Sequence, residues 1–87
     1  MDVDVVHRPE QCRFEAEVEG DVAFLSYERH DGRAVMTHTI VPRHLEGRGI
    51  AGQLTRTAVG WARGEGLRIE PQCSYVRSWI QRNPHAA

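Results

Sequence analysis

The sequence has few cysteines, no long apolar run and no excess of basic charge. Its 87 residues include only two cysteines, Cys12 and Cys73, whereas a secreted domain of this size usually carries a denser disulfide framework. No apolar stretch approaches the length of a membrane span, and Met1 is not followed by the basic and apolar regions of a signal peptide. We therefore expect a cytoplasmic protein without a membrane partner.

Neither sign of charge predominates. Eleven basic and 12 acidic residues give a net charge of −1, and the basic residues, all arginine, are spread from Arg8 to Arg82. Nucleic-acid-binding modules usually carry a basic excess on one face, so no nucleic-acid partner is expected. The histidines lie in separate segments without the spacing of metal ligands, so no metal is expected either.

The first half of the sequence predicts antiparallel strands. Apolar side chains alternate with charged ones in one segment, which predicts a strand with one buried face: Cys12, Phe14, Ala16 and Val18. A turn at Gly20-Asp21 then leads to a second strand over residues 22–28.

Asp31-Gly32 is a strong hairpin signal, because both central residues of a type I′ turn need positive φ. It connects the second strand to a third over residues 34–41. Residues 3–6 are expected to add a short edge strand before Pro9.

After Pro42 the pattern changes to a helical period. One face of the predicted helix is apolar: Ile50, Ala51, Leu54, Ala58, Trp61 and Ala62. Gly64 and Gly66 end it, with Gly66 as the left-handed residue after the C-cap. Residues 67–72 then form a short strand that can lie parallel to the preceding one.

A final helix is predicted to begin with Ser74 as its cap and to stop at Asn83-Pro84. Its buried face carries Tyr75, Val76, Trp79 and Ile80. The expected fold class is therefore α+β, in one domain over residues 1–87: an antiparallel meander of three to four strands, a central helix, a further strand parallel to the preceding one, and a C-terminal helix.

The segment over residues 46–52, Glu-Gly-Arg-Gly-Ile-Ala-Gly, lies where a strand gives way to a helix. The first N–H groups of a helix have no internal partner, and the helix dipole places partial positive charge there. Gly47 and Gly49 let the backbone approach a ligand without interference from a Cβ atom. This segment therefore predicts an anion site that suits a diphosphate.

Two common phosphate-binding loops do not fit this segment. The Walker A pattern needs Lys followed by Ser or Thr after its last Gly, and neither is present. The dinucleotide fingerprint needs a parallel βαβ unit, whereas this loop follows an antiparallel meander.

The segment does resemble the hallmark of the GNAT acetyltransferase superfamily, Gln/Arg-x-x-Gly-x-Gly/Ala, which opens the central helix after the fourth strand. Residues 46–51 match it with Glu46 in place of Gln or Arg. The run from His38-Thr39 through Val41-Pro42, and the later stretch Cys-Ser-Tyr-Val-x-x-Trp-Ile-x-Arg-Asn-Pro over residues 73–84, are similar to the short stand-alone branch of minimal acetyltransferase-like proteins. The resemblance covers nearly the whole chain and is strongest over residues 37–84.

The resemblance implies that the protein binds acetyl-CoA as a cosubstrate. Val41 would pair its backbone with the pantetheine arm, the amides over residues 47–51 would hold the diphosphate, and Arg48 would add an ionic contact. Glu46 would either touch the ligand or cap the start of the helix. The expected cofactor-binding residues are Val41, Glu46, Gly47, Arg48, Gly49, Ile50 and Ala51. Ile40 stands where this branch often has Glu.

Acetyl transfer needs a neutral amine, a polarised carbonyl and a proton for the departing thiolate. His38 is the first candidate base because its ordinary pKa suits neutral pH, and it is expected on the same face as Met36 and Ile40. Cys73 precedes a helix N-terminus, which lowers a thiol pKa, so it could act as a nucleophile. Tyr75 could protonate the thiolate. Packing roles remain the alternatives for all three, and Cys12 is expected to be structural.

The resemblance implies two possible functions, and the sequence pattern alone leaves a third. The first is an N-acetyltransferase acting on a primary amine, by direct attack or through Cys73. The second is a CoA-binding module without turnover, which the missing carboxylate at Ile40 favours. The third is an α+β domain whose Gly-rich turn is a connector. A chain this short would leave an open acceptor surface, suited to a protein or peptide amine or to varied amines, and we expect it to be monomeric.

Overall fold

A computed structural model describes residues 1–86 as one five-stranded sheet with two helices. Two short 3-10 turns, Pro9–Gln11 and Arg43–Leu45, lie between these elements. The strands and helices are β1 (Val6–Arg8), β2 (Arg13–Val18), β3 (Asp21–His30), β4 (Arg33–Ile40), α1 (Ile50–Gly64), β5 (Arg68–Pro71) and α2 (Ser74–Arg82).

The strands lie side by side in chain order. The first four form an antiparallel meander, and β5 pairs with β4 in parallel. This is the predicted α+β architecture, with the crossover through α1 bringing the chain back to the sheet edge beside β4.

Both hairpin turns have positive φ at two consecutive residues. Asp31 and Gly32 have φ of 46° and 76°, as the Asp-Gly pair predicts. The earlier turn is centred on Glu19 and Gly20, with φ of 55° and 83°, and not on Gly20-Asp21. Asp21 is already paired with Val18 as the first residue of β3.

Two predictions about the N-terminal part were wrong. The edge strand is Val6–Arg8 and not residues 3–6, because the return turn places Val6 opposite Glu15 of β2. Cys12 is exposed and not structural core. It lies in that turn with a φ of 55°, so the alternation of buried residues begins at Phe14.

A bulge in β4 changes which side chains face the helices. Ser26 pairs with His38 but the next residue, Tyr27, pairs with Met36, so Thr37 is the extra residue. Met36 is fully buried toward the helices whereas His38 is exposed on the opposite face. The expectation that these two side chains share a face was therefore wrong, although His38 does share one with Ile40.

Both helices pack on the same face of the sheet and form one core with it. Leu54 and Ala58 of α1 and Val76 of α2 are fully buried in this core. Trp61 is only half-buried, at the edge of the core. The opposite face of the sheet is not covered by a helix within residues 1–86.

The helix ends agree in part with the sequence pattern. Gly66 has a φ of 72° just after α1, and α2 ends at Arg82 before Asn83, as predicted. Ser74 is not the cap of α2: it is the first helical residue, and Cys73 occupies the N-cap position without a side-chain capping bond.

Candidate functional site

A cavity of about 570 Å³ opens where β4, α1 and α2 meet. It lies at the end of β4, against the glycine-rich loop and the first turn of α1. Its lining residues are Thr39, Ile40, Val41, Glu46, Gly47, Gly49, Ala51, Gly52 and Tyr75. The cavity therefore contains most of the residues expected to bind acetyl-CoA.

The N-terminus of α1 opens into this cavity without a side-chain cap. Gly49 is the N-cap, and its carbonyl accepts the first helical bond from the Gln53 N–H at 3.3 Å. Among the described residues, the N–H groups of residues 50–52 have no protein acceptor. Such N–H groups, with the positive end of the helix dipole, form an anion site.

The loop before α1 has a backbone that favours glycine at two positions. Gly47 and Gly49 have φ of 81° and 79°, values that most side chains avoid. This backbone turns the chain from the 3-10 turn into α1 while leaving the helix start uncovered. The start of α1 is therefore open to a ligand, and the binding of a diphosphate there stays a prediction.

Glu46 lines the cavity and lies three residues before the N-cap Gly49. Its N–H donates to the Arg43 carbonyl at 3.2 Å. Its carboxylate therefore lies near the start of α1, and its two expected roles, as a ligand contact or as a favourable charge at the helix end, stay predictions.

Arg48 is engaged outside the cavity. Its guanidinium donates to the Glu19 carboxylate at 2.7 Å, and this hydrogen bond, together with the guanidinium charge, lowers the pKa of Glu19. A neighbouring pair, His44 and Asp21, is 3.0 Å apart. Both contacts tie the loop to the turn between β2 and β3.

Ile50 and Val41 contribute to the site in different ways. The Ile50 side chain is 1% exposed and belongs to the core, so only its backbone can face a ligand. Val41 follows the last residue of β4 and lines the cavity. Since β5 pairs with β4 only from Arg33 to Met36, the later residues of β4 have a free edge on that side.

Cys73 lies beside this free edge, at the N-cap of α2. Its Sγ atom is 3.5 Å from the Thr39 Oγ1 atom. Burial alone would raise the pKa of the thiol, but the Thr39 hydroxyl and the N–H groups of Val76, Tyr75 and Thr39 outweigh it, so the pKa is lowered. The sequence prediction of a thiol activated at a helix N-terminus therefore has a geometric basis.

The three candidate catalytic side chains do not all come together. Tyr75 lines the cavity, and a Cβ atom placed on Gly52 would lie 3.5 Å from its hydroxyl. Cys73, two residues before Tyr75, does not line the cavity itself but contacts Thr39, which does. His38 lies on the opposite face of the sheet, where its Nδ1 atom is 3.4 Å from the Ser26 hydroxyl.

Sequence reasoning missed Thr39 and Gly52. The bulge at Thr37 turns the Thr39 side chain toward the helices, beside Cys73, and no pattern in the sequence indicates a bulge at that position. Gly52 could have been inferred, because it is the third glycine of the same loop-to-helix segment. Its role depends on the approach of Tyr75 from α2.

Residues 1–86 contain neither a cluster of metal-ligating side chains nor a helix suited to a membrane. No group of three or more His, Cys, Asp and Glu side chains in this part of the chain could hold a metal ion. None of its helices has the length and apolar composition needed to cross a membrane.

A family model and several known proteins are similar to this chain over most of its length. The family model described as GCN5-related N-acetyl-transferase matches residues 13–87. Protein NATD1 of Gallus gallus is 33% identical over 85 residues, which cover 94% of this chain and 77% of the relative. Protein NATD1 of Bos taurus is 35% identical over 83 residues (92% and 74%), and that of Homo sapiens is 34% identical over 83 residues (92% and 74%).

Proposed function

Because this chain belongs to the GCN5-related N-acetyltransferase family, we propose that it transfers an acetyl group from acetyl-CoA to an amine. The observation that carries this proposal is the uncapped first turn of α1, which opens into the cavity beside the free edge of β4. A diphosphate at the helix start and an extended arm along β4 match the chemistry of acetyl-CoA.

In the proposed complex, the N–H groups of residues 47–51 bind the diphosphate. The pantetheine arm runs along the free edge of β4 and pairs with the backbone of Val41. This path brings the thioester toward Thr39, Cys73 and Tyr75. Arg48 contributes to the diphosphate site only if it leaves Glu19, its partner in the free protein.

Direct transfer places the amine on the open face of the sheet. Ile40 shares this face with His38 and also lines the cavity, so the amine reaches the thioester past Ile40. A backbone N–H at the free edge of β4 polarises the carbonyl, and Tyr75 protonates the departing CoA thiolate. His38 accepts the proton that the amine loses.

The second route passes through Cys73. Its thiolate attacks the acetyl carbonyl, a new S–C bond forms, and the bond to the CoA sulfur breaks. CoA leaves as a thiolate that Tyr75 protonates. The amine then attacks the acetyl-cysteine, the S–C bond breaks to restore the Cys73 thiolate, and the proton that the amine loses returns to the Tyr75 phenolate. The lowered pKa of Cys73 favours this route.

A CoA-binding module without turnover is the second candidate function. It is favoured by Ile40, an apolar residue that is 48% exposed at the cavity. By the resemblance described above, the short GNAT branch often has Glu at this position. Mass spectrometry of the protein incubated with acetyl-CoA and a set of amines and peptides separates the two functions. An acetylated acceptor supports the enzyme, whereas CoA binding without product supports the module. An acetyl adduct on the protein that disappears in Cys73→Ala identifies the covalent route.

The cofactor site itself is tested with a matched pair of glycine variants. Gly49→Ala and Gly66→Ala each place a Cβ atom on a left-handed residue with open space around it, and each costs about 1–2 kcal/mol of backbone strain. Of these two glycines, only Gly49 lines the cavity. We expect acetyl-CoA to raise the melting temperature of the wild type and of Gly66→Ala, and to bind Gly49→Ala at least about tenfold more weakly.

Two outcomes would contradict the cofactor site. Acetyl-CoA could leave the melting temperature of the wild type unchanged, which would favour the loop as a mere connector. Alternatively, Gly66→Ala could lose as much affinity as Gly49→Ala, in which case the loss reflects general destabilisation and not the helix start.

A further inference from the structure

The contact between Thr39 and Cys73 joins two elements that are far apart in sequence. Thr39 is near the end of β4, and Cys73 follows β5, yet Oγ1 and Sγ are 3.5 Å apart, within reach of a hydrogen bond to sulfur. The bulge at Thr37 makes this contact possible, because it brings Thr39 opposite Leu25 on the helix side of the sheet.

The backbone around Cys73 is fixed independently of its side chain. The N–H groups of Gln72 and Cys73 both donate to the Met36 carbonyl at 3.0 Å, and the Cys73 carbonyl accepts from Arg77 at 3.1 Å. These bonds anchor the residue to β4 on one side and to α2 on the other. The position of the sulfur is therefore set by χ1 alone, which the Thr39 hydroxyl can select.

The groups around the sulfur stabilise negative charge without a cation. Arg77, on the same helix, turns back to the carbonyls of Pro71 and Gln72. Glu70, on β5, pairs with Arg33, and His38, on β4, lies on the opposite face of the sheet. Tyr75 and Glu46 are the titratable groups that share the cavity wall with Thr39.

We propose that Thr39, which lines the cavity, is a positioning residue for Cys73: its hydroxyl donates a hydrogen bond to the ionised sulfur and fixes the sulfur beside this part of the cavity. This inference rests on the proposed function, because a positioned Cys73 thiolate is useful for catalysis only if the thioester of acetyl-CoA binds beside it. The direction of the bond reverses with ionisation, because the neutral thiol donates to Thr39 and the thiolate accepts from it. The lowered pKa of Cys73 agrees with this arrangement.

The test measures the ionisation of Cys73 in the free protein, without acetyl-CoA. The rate of alkylation by iodoacetamide is followed from pH 5 to 10 by peptide mass spectrometry, since the thiolate is the reactive form. Cys12 is an exposed thiol in the same molecule and serves as the internal reference for the reagent.

Thr39→Val keeps the shape of the side chain and removes the hydroxyl. We expect it to raise the midpoint of Cys73 alkylation by about one pH unit, which slows the reaction about tenfold below both midpoints. Thr39→Ser keeps a hydroxyl and should restore the wild-type midpoint, which a purely structural effect of the substitution would not do. The rate at Cys12 should not change in either variant.

An unchanged midpoint in Thr39→Val with an unchanged melting temperature would overturn the inference, as would a midpoint in Thr39→Ser equal to that of Thr39→Val. If Thr39→Val does not fold, Thr39→Ala, which also lacks the hydroxyl but is smaller, gives the same comparison. Failure of the proposed function looks different: the alkylation midpoint moves in Thr39→Val as expected, but no acetyl group is transferred by the wild type.

Discussion

At the residue scale, the site depends on residues with little or no side chain. Gly49 leaves the start of α1 uncapped, and Gly52 lets the Tyr75 hydroxyl approach the first turn. Any larger residue at these two positions would either strain the backbone or occupy the space of the ligand. The glycines therefore lower the stability of the helix but leave the backbone N–H groups at its start accessible.

Gly52→Ala should raise the stability of the protein and weaken its binding of CoA. The new Cβ atom would lie 3.5 Å from the Tyr75 hydroxyl and 3.8 Å from the Trp79 Nε1 atom, which are ordinary contacts. Because Ala is the better helix former, we expect the free energy of unfolding to rise by about 1 kcal/mol and the melting temperature by about 4–8 °C. The methyl group also enters the cavity, so calorimetry should show weaker CoA binding.

Gly60→Ala is the matched control for this variant. Gly60 lies in the same helix, away from the cavity, with open space where its Cβ would be. It should gain similar stability and keep the wild-type affinity for CoA. Equal affinity losses in the two variants would show that Gly52 has no special place in the binding site.

At the element scale, His7 adds side-chain contacts to the backbone pairing of β1 with β2. The His7 ring stacks on Phe14 with centroids 4.1 Å apart, and its Nε2 atom is 2.7 Å from the Tyr27 hydroxyl. Its edge contact with Trp61, with centroids 4.9 Å apart, links the strand to α1. Removal of the ring from water lowers the pKa of His7, although Glu10 and Glu65 act in the opposite direction.

The lowered pKa of His7 makes the stability depend on pH. The unfolded chain binds the proton at the ordinary value of 6.5 and the folded chain only at a lower pH. Stability from this residue is therefore fully present above pH 6.5 and is lost as pH falls through the folded pKa. Urea unfolding measured between pH 5 and 8 should show a decline below pH 6.5.

His7→Gln should remove that decline, at the cost of lower stability at neutral pH. The exposed His85 provides the control, since His85→Gln should keep the wild-type pH dependence. A decline of the same size in His7→Gln would mean that another group is responsible.

At the scale of the whole molecule, one layer of helices covers one face of one sheet. The shortest dimension of the molecule is 19 Å, in keeping with two layers. The other face of the sheet has no helix packed on it within residues 1–86. Apolar side chains on that face are partly exposed, including Val22 at 41% and Ile40 at 48%. Most buried apolar side chains therefore belong to the single core between the sheet and the two helices, and this makes the stability sensitive to cavities in that core.

Leu54→Ala should test how much of the fold depends on this core. Leu54 is fully buried in α1, and its truncation should lower the free energy of unfolding by about 2–5 kcal/mol, a large part of the stability of a small domain. Urea unfolding measures this change. The exposed neighbour Thr57 is the control, because Thr57→Ala should change the free energy by less than about 0.5 kcal/mol. A loss at Leu54 no larger than that at Thr57 would contradict a single shared core.

The sequence by itself determined the order and type of the elements. Alternation from Phe14 to Val18, the Asp31-Gly32 turn and the helical period from Ile50 each arise from interactions between residues close in the chain, so they are visible in the sequence. The segment proposed to bind the diphosphate is equally local, because Gly47 and Gly49 act through their own backbone angles. These local features were sufficient to indicate the resemblance that the family comparison confirmed.

Only the tertiary structure decided which side chains meet. The bulge at Thr37 depends on the pairing of β4 with β3, and it turns His38 away from the helices and Thr39 toward Cys73. Arg48 pairs with Glu19 because a hairpin 29 residues earlier packs against the loop. Cys12 is exposed because the register of β1 on β2 places it in a turn. Each of these outcomes arises from contacts between segments distant in sequence, which no local pattern of residues encodes.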